Sequence, residues 1–464
     1  MQKMKNGKKV LSVCLSLAMA AGMLSTSAFA SWNVYGGSNN HNAVVTEAPT
    51  RPDKSGLDSY IQLHCTGSGW DGVDNVPVLQ TVNGTTYAYV LYDGYGASGA
   101  LVAKIRCAEN GGSSIVWTTD PYGTEGTSLN AKSGFQLSTP YLDDKGTPDD
   151  ASDDTLYVGT ISQYDDYEGG EWLTGTGSKV MALTGLDQNK PTVTNVLTGI
   201  NGQINTPITT DGTYLYFGTW PGGSRAGTYY QVKLSDYSVK TFTPDSYGFY
   251  WAGAVSDGTN VYFGSDNGLL YWRSIADFDT TGGVLDLTDV ASDAGNVRST
   301  VMLDDGYLYF TTQGGYLWCC FYDGGLKVYW NAKLGATSTS TPTKVGDRIY
   351  VGYYSGFNAG GVQCVTVSFD EEENVVTSVA PVASGFPVQS SIVVMGDGTG
   401  TGTDYLYFNT NAQKGAGYCY SYDGTTGSKV WGTTGDTYAL GGMAIDNGYA
   451  VFGNDYNHLY VVHN

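Results

Sequence analysis

Histidine is nearly missing from this sequence, with His41, His64, His458 and His463 the whole complement. No two of them have metal-binding spacing on a helix, and no Gly-x-Ser-x-Gly elbow occurs, which argues against zinc and serine hydrolases. Basic residues are scarce too: 23 Lys and Arg stand against 44 Asp and Glu, a net charge of −21. A chain this acidic is repelled by phosphate backbones and anionic lipid, so no nucleic-acid partner is expected. After residue 30 there is no run of about 20 apolar residues, so no membrane insertion is expected either. Helical periodicity is absent beyond a turn or two, and so is the Cys-x-x-Cys-His signature of haem attachment.

What the chain has instead is glycine and tyrosine, 65 and 37 of 464 residues. Together with low charge, this composition suits many short strands joined by tight turns, an all-β protein. The first thirty residues read as a secretory leader: Lys3, Lys5, Lys8 and Lys9, an apolar stretch from Val10 to about Met23, and the small-residue exit Ala28-Phe29-Ala30. Cleavage after Ala30 leaves 19 basic and 44 acidic residues, a net of −25. Val13 stands where a lipoprotein signal needs a small residue before Cys14, so lipidation is not expected. Residues 31–464 are expected to form one domain, exported and acidic enough to stay soluble as a monomer.

One strand recurs along the chain. Leu156-Tyr157-Val158-Gly159, Leu215-Tyr216-Phe217-Gly218, Val261-Tyr262-Phe263-Gly264, Leu308-Tyr309-Phe310-Thr311, Ile349-Tyr350-Val351-Gly352 and Leu406-Tyr407-Phe408-Asn409 are strong copies. Weaker ones lie at Tyr87–Val90 and Tyr449–Gly453, making eight. Asn-Gly or Asp-Gly precedes most of them, as at Asn83-Gly84, Asp211-Gly212, Asp257-Gly258 and Asp305-Gly306. These pairs tolerate the positive φ of a hairpin turn, so another strand should pair antiparallel just upstream. That strand often opens with proline, at Pro77, Pro140, Pro207, Pro342 and Pro387. Pro207 to Pro342 spans 135 residues and three copies, 45 per repeat, a propeller period.

The segment Tyr418 to Trp431 adds a third strand and a fourth ending in tryptophan. It resembles the pyrroloquinoline-quinone-type repeat of quinoprotein-like β-propellers, matching at Asp423, Thr426, Gly427, Lys429 and Trp431, with looser copies ending at Trp117 and Trp330. The resemblance implies an eight-bladed propeller, or seven if the weak first copy is not a blade. Ser31-Trp32-Asn33-Val34-Tyr35 is expected to supply the missing fourth strand of the last blade, so that an N-terminal strand closes the ring. Some quinoprotein dehydrogenases set an adjacent-cysteine disulfide against their quinone, which draws attention to Cys319-Cys320. On an extended strand, however, neighbours point to opposite faces, and pyrroloquinoline quinone is not expected here.

Ligand contacts are expected on the face that carries the inter-blade loops and the second-to-third-strand loops. Trp70, Tyr164, Tyr167, Trp172, Trp220 and Arg225 put aromatics beside acids and amides there, which suits sugar rings and protein hot spots alike, or rings folding back onto the propeller. On the other face, Asp143, Asp144, Asp149, Asp150, Asp153 and Asp154 offer hard oxygen ligands for Ca²⁺, or a solvated loop. The function expected is a non-catalytic binding or scaffold propeller, secreted or at a bacterial cell surface, for an extracellular glycan or surface protein. The alternative is an enzyme, either a quinoprotein dehydrogenase or a carbohydrate-active propeller using carboxylates at the channel.

Overall fold

The computed structural model describes residues 31–64, 72–94, 98–131, 137–161, 164–168, 171–174, 176–396 and 399–464. The leader expected at 1–30 lies outside them, as does Trp70. Eight antiparallel sheets stand around one axis, each innermost strand first in sequence. Blades one to seven span 78–118, 141–201, 209–242, 255–286, 302–333, 343–384 and 393–432. Blade eight takes three strands from 444–462 and its fourth from the N-terminal region.

Each recurring strand is second from the axis, where both faces are covered, and this accounts for its near-continuous apolar character. Its tyrosine reaches an acid: Tyr216 Oη donates to Asp211 Oδ2 (2.8 Å), Tyr262 Oη to Asp257 Oδ2 (2.6 Å), and Tyr350 Oη to Asp404. Its glycine makes room. A Cβ on Gly159 would sit 2.7 Å from Ile204, on Gly218 2.6 Å from Phe249, and on Gly352 2.7 Å from Val388. Gly264 is closed off in the same way by Val297, and Gly453 by Val73. All five apolar partners are fully buried just ahead of the next blade's first strand, so the repeat's Gly is the socket into which the following blade docks.

The closing tryptophans are inter-blade clamps. Register lines up Tyr309, Cys319 and Trp330 across blade five, and Tyr407, Cys419 and Trp431 across blade seven. Lys104 holds the cysteine's place in blade one, between Tyr89 and Trp117. Cys319 packs towards blade six beside Ile349 and Val365, whereas Cys320 packs towards blade four beside Tyr262 and Leu270. Both are free thiols, and burial pushes the Cys319 thiol up to about 12. No ring joins the neighbours because they face different blade interfaces. Cys107, Cys364 and Cys419 are also free and buried.

An N-terminal strand does close the ring, but not the expected one. The fourth strand of blade eight is β2 (Ile61–Gln62), antiparallel to His458–Val462. It follows a short helix, α1 (Lys54–Asp58), capped by the Asp53 carboxylate. The clasp is held by Trp431 Nε1 donating to the Pro49 carbonyl (2.7 Å) and by the backbone N–H groups of Thr50 and Arg51 donating to Asn464 Oδ1 (2.8 and 2.6 Å).

Residues 31–45 run inside the channel instead. The Trp32 carbonyl accepts from Leu79 N of blade one (2.8 Å) and the Asn33 carbonyl from Leu142 N of blade two (2.8 Å). Val34 packs with Ile208 ahead of blade three, and His41 Nε2 lies 2.8 Å from the Ala254 carbonyl ahead of blade four. The Asn40 carbonyl accepts from Leu303 N of blade five (2.9 Å), and Asn42 exchanges two bonds with the Lys344 backbone of blade six (3.0 and 2.8 Å). Ala43 accepts from Val394 N of blade seven (2.9 Å), where β1 (Val44–Val45) pairs parallel with the first strand. Ala43 and Ala48 share a core cluster with Ala444 of blade eight. The segment is a plug that visits the blades in order. Innermost strands leave N–H groups unpaired at the axis, the Trp32 carbonyl accepts one of them, and its ring is buried against the blades.

Candidate functional site: the axial pocket and its aromatic rim

Every blade is entered from the same face, so the residues just ahead of the eight first strands converge around the axis. They enclose a pocket of about 60 Å³. Asp74 and Asn75 come from blade one, Thr139 from blade two, Asn205 from three and Trp251 from four. Arg298 and Thr300 come from five, Thr339 from six, Ser390 and Ser391 from seven, and Leu440 to Gly442 from eight. Tyr35 of the plug lines it too; its hydroxyl lies 3.0 Å from Thr341 Oγ1, and burial pushes its phenol upward. The plug thus occupies the channel and leaves a pocket on the inter-blade face.

Arg298 is fixed by Asp266, which accepts from Nε at 2.7 Å and from Nη2 at 2.6 Å. Trp220 Nε1 donates to the same carboxylate (3.1 Å). Burial pushes the Asp266 carboxyl above its ordinary value, and Arg298 pulls the other way. The guanidinium lies 4.3 Å over the ring of Tyr250, which in turn touches Trp220 (5.1 Å, edge-on) and Trp251 (4.7 Å). Such a stack keeps a bulky rim rigid. Trp251 has φ 58°, a left-handed conformation rare for a large side chain; strain of this kind persists where surrounding structure imposes it and clusters at ligand sites.

Two amides in the pocket wall carry unmet acceptors. Asn75 and Asn205 are each 3% exposed, and neither Oδ1 finds a donor among the described residues. Their Nδ2 groups are used, by the Leu91 carbonyl (2.8 Å) and by Gln203 Oε1 (3.5 Å). An unpaired buried acceptor costs about 1–3 kcal/mol.

Of the residues expected to bind ligand, Trp220 belongs to this rim through Asp266, while Arg225 is exposed and donates to the Pro221 carbonyl. Tyr164, Tyr167 and Trp172 lie on a hairpin between the second and third strands of blade two, Tyr164–Glu168 paired with Glu171–Thr174, with Trp172 opposite Tyr167. Their side chains lie outside the described residues, as does all of Trp70. The same face exposes Tyr60, Tyr122, Phe357 and Tyr456. Sequence reasoning missed Asn75, Asn205, Tyr250, Trp251, Asp266 and Arg298. A signal existed for the first two, which stand two residues ahead of strand-opening prolines in Asn75-Val76-Pro77 and Asn205-Thr206-Pro207.

The acidic loop is on the opposite face, and its carboxylates serve local turns. Asp143 pairs with Lys145, Asp144 accepts from Gly146 N (3.0 Å), Asp149 from Asn83 N (3.1 Å), Asp150 from Ser152 N (3.0 Å) and Asp153 from Thr147 Oγ1 (3.1 Å). Asp154 is buried, accepts from Gln80 Nε2 (2.6 Å), and is pushed up to about 6 by burial and the neighbouring Asp144, Asp153 and Asp150. No three ligand side chains converge as a metal cage among the described residues.

No protein-family model matches the chain, and no curated protein matches it. Solved structures do. BamB from Moraxella catarrhalis superposes with a TM-score of 0.50 at 13% identity, covering 88% of this chain and 97% of that one. A europium-containing methanol dehydrogenase gives 0.53 at 11% identity over 93% and 89%. The likeness is one of fold. Eight-bladed quinoprotein-like propellers are what this chain is similar to in shape, and at such identity nothing of their chemistry carries over. The adjacent thiols Cys319 and Cys320 face blade interfaces instead of the axial pocket, and Arg298 is held by Asp266.

Proposed function

We propose that the protein is a non-catalytic binding propeller, exported through its leader-like first thirty residues, that grips an extracellular glycan on its inter-blade face. The observation that carries this reading is the preformed polar pocket at the axis, lined on one side by Trp251, which touches Tyr250 and through it Trp220, with further exposed aromatics on the same face. Aromatic planes beside amides and hydroxyls suit sugar rings, which offer apolar faces and polar edges. A surface protein docking through the same aromatics is the other outcome to watch for.

The enzyme alternative draws less support. Hydrolysis of a glycoside by carboxylates takes a pair about 5–9.5 Å apart. Asp74 is the one carboxylate in the pocket lining among the described residues.

Glycan-array and envelope-fraction capture with the chain from Ser31 tests the reading. Trp172→Ala and Tyr167→Ala should fold normally yet weaken capture about thirtyfold, the usual result of truncating an aromatic anchor. Undiminished capture by both, with no loss on replacing Trp251, would refute binding on this face.

A further inference from the structure

The axial pocket holds atoms that the folded chain leaves unmatched. Asn75 Oδ1 and Asn205 Oδ1 are buried acceptors without donors among the described residues. Blade five stands four blades from blade one, so Arg298 faces Asp74 and Asn75 across the axis. With Nε and Nη2 held by Asp266, its Nη1 is unbonded among the described residues. Thr300, Ser390 and Ser391 add hydroxyls that donate or accept. Leu137, Leu440 and the plane of Trp251 supply apolar wall.

Building on the glycan-binding reading above, we infer that this pocket is a subsite for one neutral sugar ring, the terminal residue of a glycan. A ligand here must donate to two amide oxygens and accept from a guanidinium, which hydroxyl groups do together and ammonium or carboxylate groups do not. The Asp266 pairing neutralises Arg298, and the acidic chain as a whole disfavours anions. About 60 Å³ holds roughly four to six waters at 10–15 Å³ each, the volume of one edge of a pyranose with its hydroxyl groups, so the terminal ring enters edge-on and the rest of the glycan stays outside. Trp251 then offers its plane to the ring's C–H face. Its left-handed backbone and the Tyr250 contact hold the indole there without a ligand.

The test uses the chain from Ser31 with methyl pyranosides of glucose, galactose, mannose and N-acetylglucosamine, followed by saturation-transfer NMR and tryptophan fluorescence. At least one should bind with a Kd of about 1 mM, typical of a single ring. Asn205→Ala should weaken it about tenfold; the sugar-free protein loses the unpaired Oδ1 together with the long Nδ2 bond to Gln203 Oε1 (3.5 Å), so its melting temperature should change little. Trp251→Phe should keep the fold and weaken binding with loss of the fluorescence change. No pyranoside binding at about 50 mM, fifty times that Kd, or wild-type affinity in Asn205→Ala, overturns the subsite. Preference for glucuronate over every neutral sugar would overturn the assigned chemistry. If the subsite fails while array capture still depends on Trp172 and Tyr167, the glycan-binding reading stands without it.

Discussion

Trp32→Ala is the sharpest test of the plug. Trp32 is 3% exposed, its carbonyl bonds Leu79 N, and its ring lies against Gly37, where an added Cβ would meet Cε3 at 2.6 Å. Truncating a buried tryptophan costs about 3–5 kcal/mol. Nε1 is buried without a partner among the described residues, and removing that orphan returns part of the loss, so about 3 kcal/mol is expected. Unfolding entropy of about 2.1 cal/mol/K per residue, taken over Ser31–Asn464, sums to about 0.9 kcal/mol/K, which converts this into a fall of about 3 °C in melting temperature. Trp32→Phe keeps most of the apolar contact and discards the orphan, so it should stay within about 1 kcal/mol of wild type. Calorimetry and denaturant titration read both. A change below about 0.5 kcal/mol for Trp32→Ala, the behaviour of an exposed site, would refute the placement of residues 31–45 in the channel.

The packing and the charges set further outcomes. Gly264→Ala should destabilise by about 1–3 kcal/mol by overpacking against Val297, and Gly264→Ala with Val297→Ala should recover much of it; equal losses would break the socket argument. Asp154 is pushed up to about 6 by burial, so the folded chain binds its proton more tightly than the unfolded chain; stability from this group is full below about pH 4 and falls as pH rises through 6. Asp154→Asn should therefore raise the melting temperature at pH 7 more than at pH 4, and an identical gain at both would be inconsistent with a titrating Asp154. Ca²⁺ at about 1 mM, a low-affinity extracellular range, should leave that temperature unchanged, whereas a rise abolished by Asp150→Asn would show the loop carboxylates leaving their turns for a metal. Native protein should react with thiol reagents at none of Cys107, Cys319, Cys320, Cys364 and Cys419, and should reduce no dye when supplied with pyrroloquinoline quinone and Ca²⁺.

The blades were legible because their information is local. Leu215-Tyr216-Phe217-Gly218 carries strand, acid-seeking tyrosine and socket in four residues, and Asp211-Gly212 states the turn before it. The adjacent cysteines could be read as an ordinary strand from the period of two alone. Trp32 was assigned to the wrong strand because tryptophan closes blades at Trp117, Trp330 and Trp431, so a tryptophan near the chain start looked like one more. Its bond to Leu79, like that of Asn33 to Leu142, runs through backbone groups, which leave no side-chain pattern to find. The pocket was hidden for a related reason: Asn75, Asn205, Trp251 and Arg298 are scattered over 224 residues, and only the eightfold ring brings them together.

The plug also dictates an order of events during folding. Tyr35 meets Thr341 across 306 residues of chain, Pro49 meets Trp431 across 382, and Thr50 meets Asn464 across 414. The plug and clasp precede every blade in sequence yet are fully seated only when the last blade exists. Blades can form one by one as hairpins, but the axis stays open until the end, and closing so long a loop adds an entropic barrier after most of the apolar surface is buried. Burst formation of sheet structure should precede a slower phase in which the tryptophan environment at residue 32 becomes native. Until that phase ends, the inner edges of eight sheets are exposed to any other extended chain, including the N-terminal segment of a second molecule.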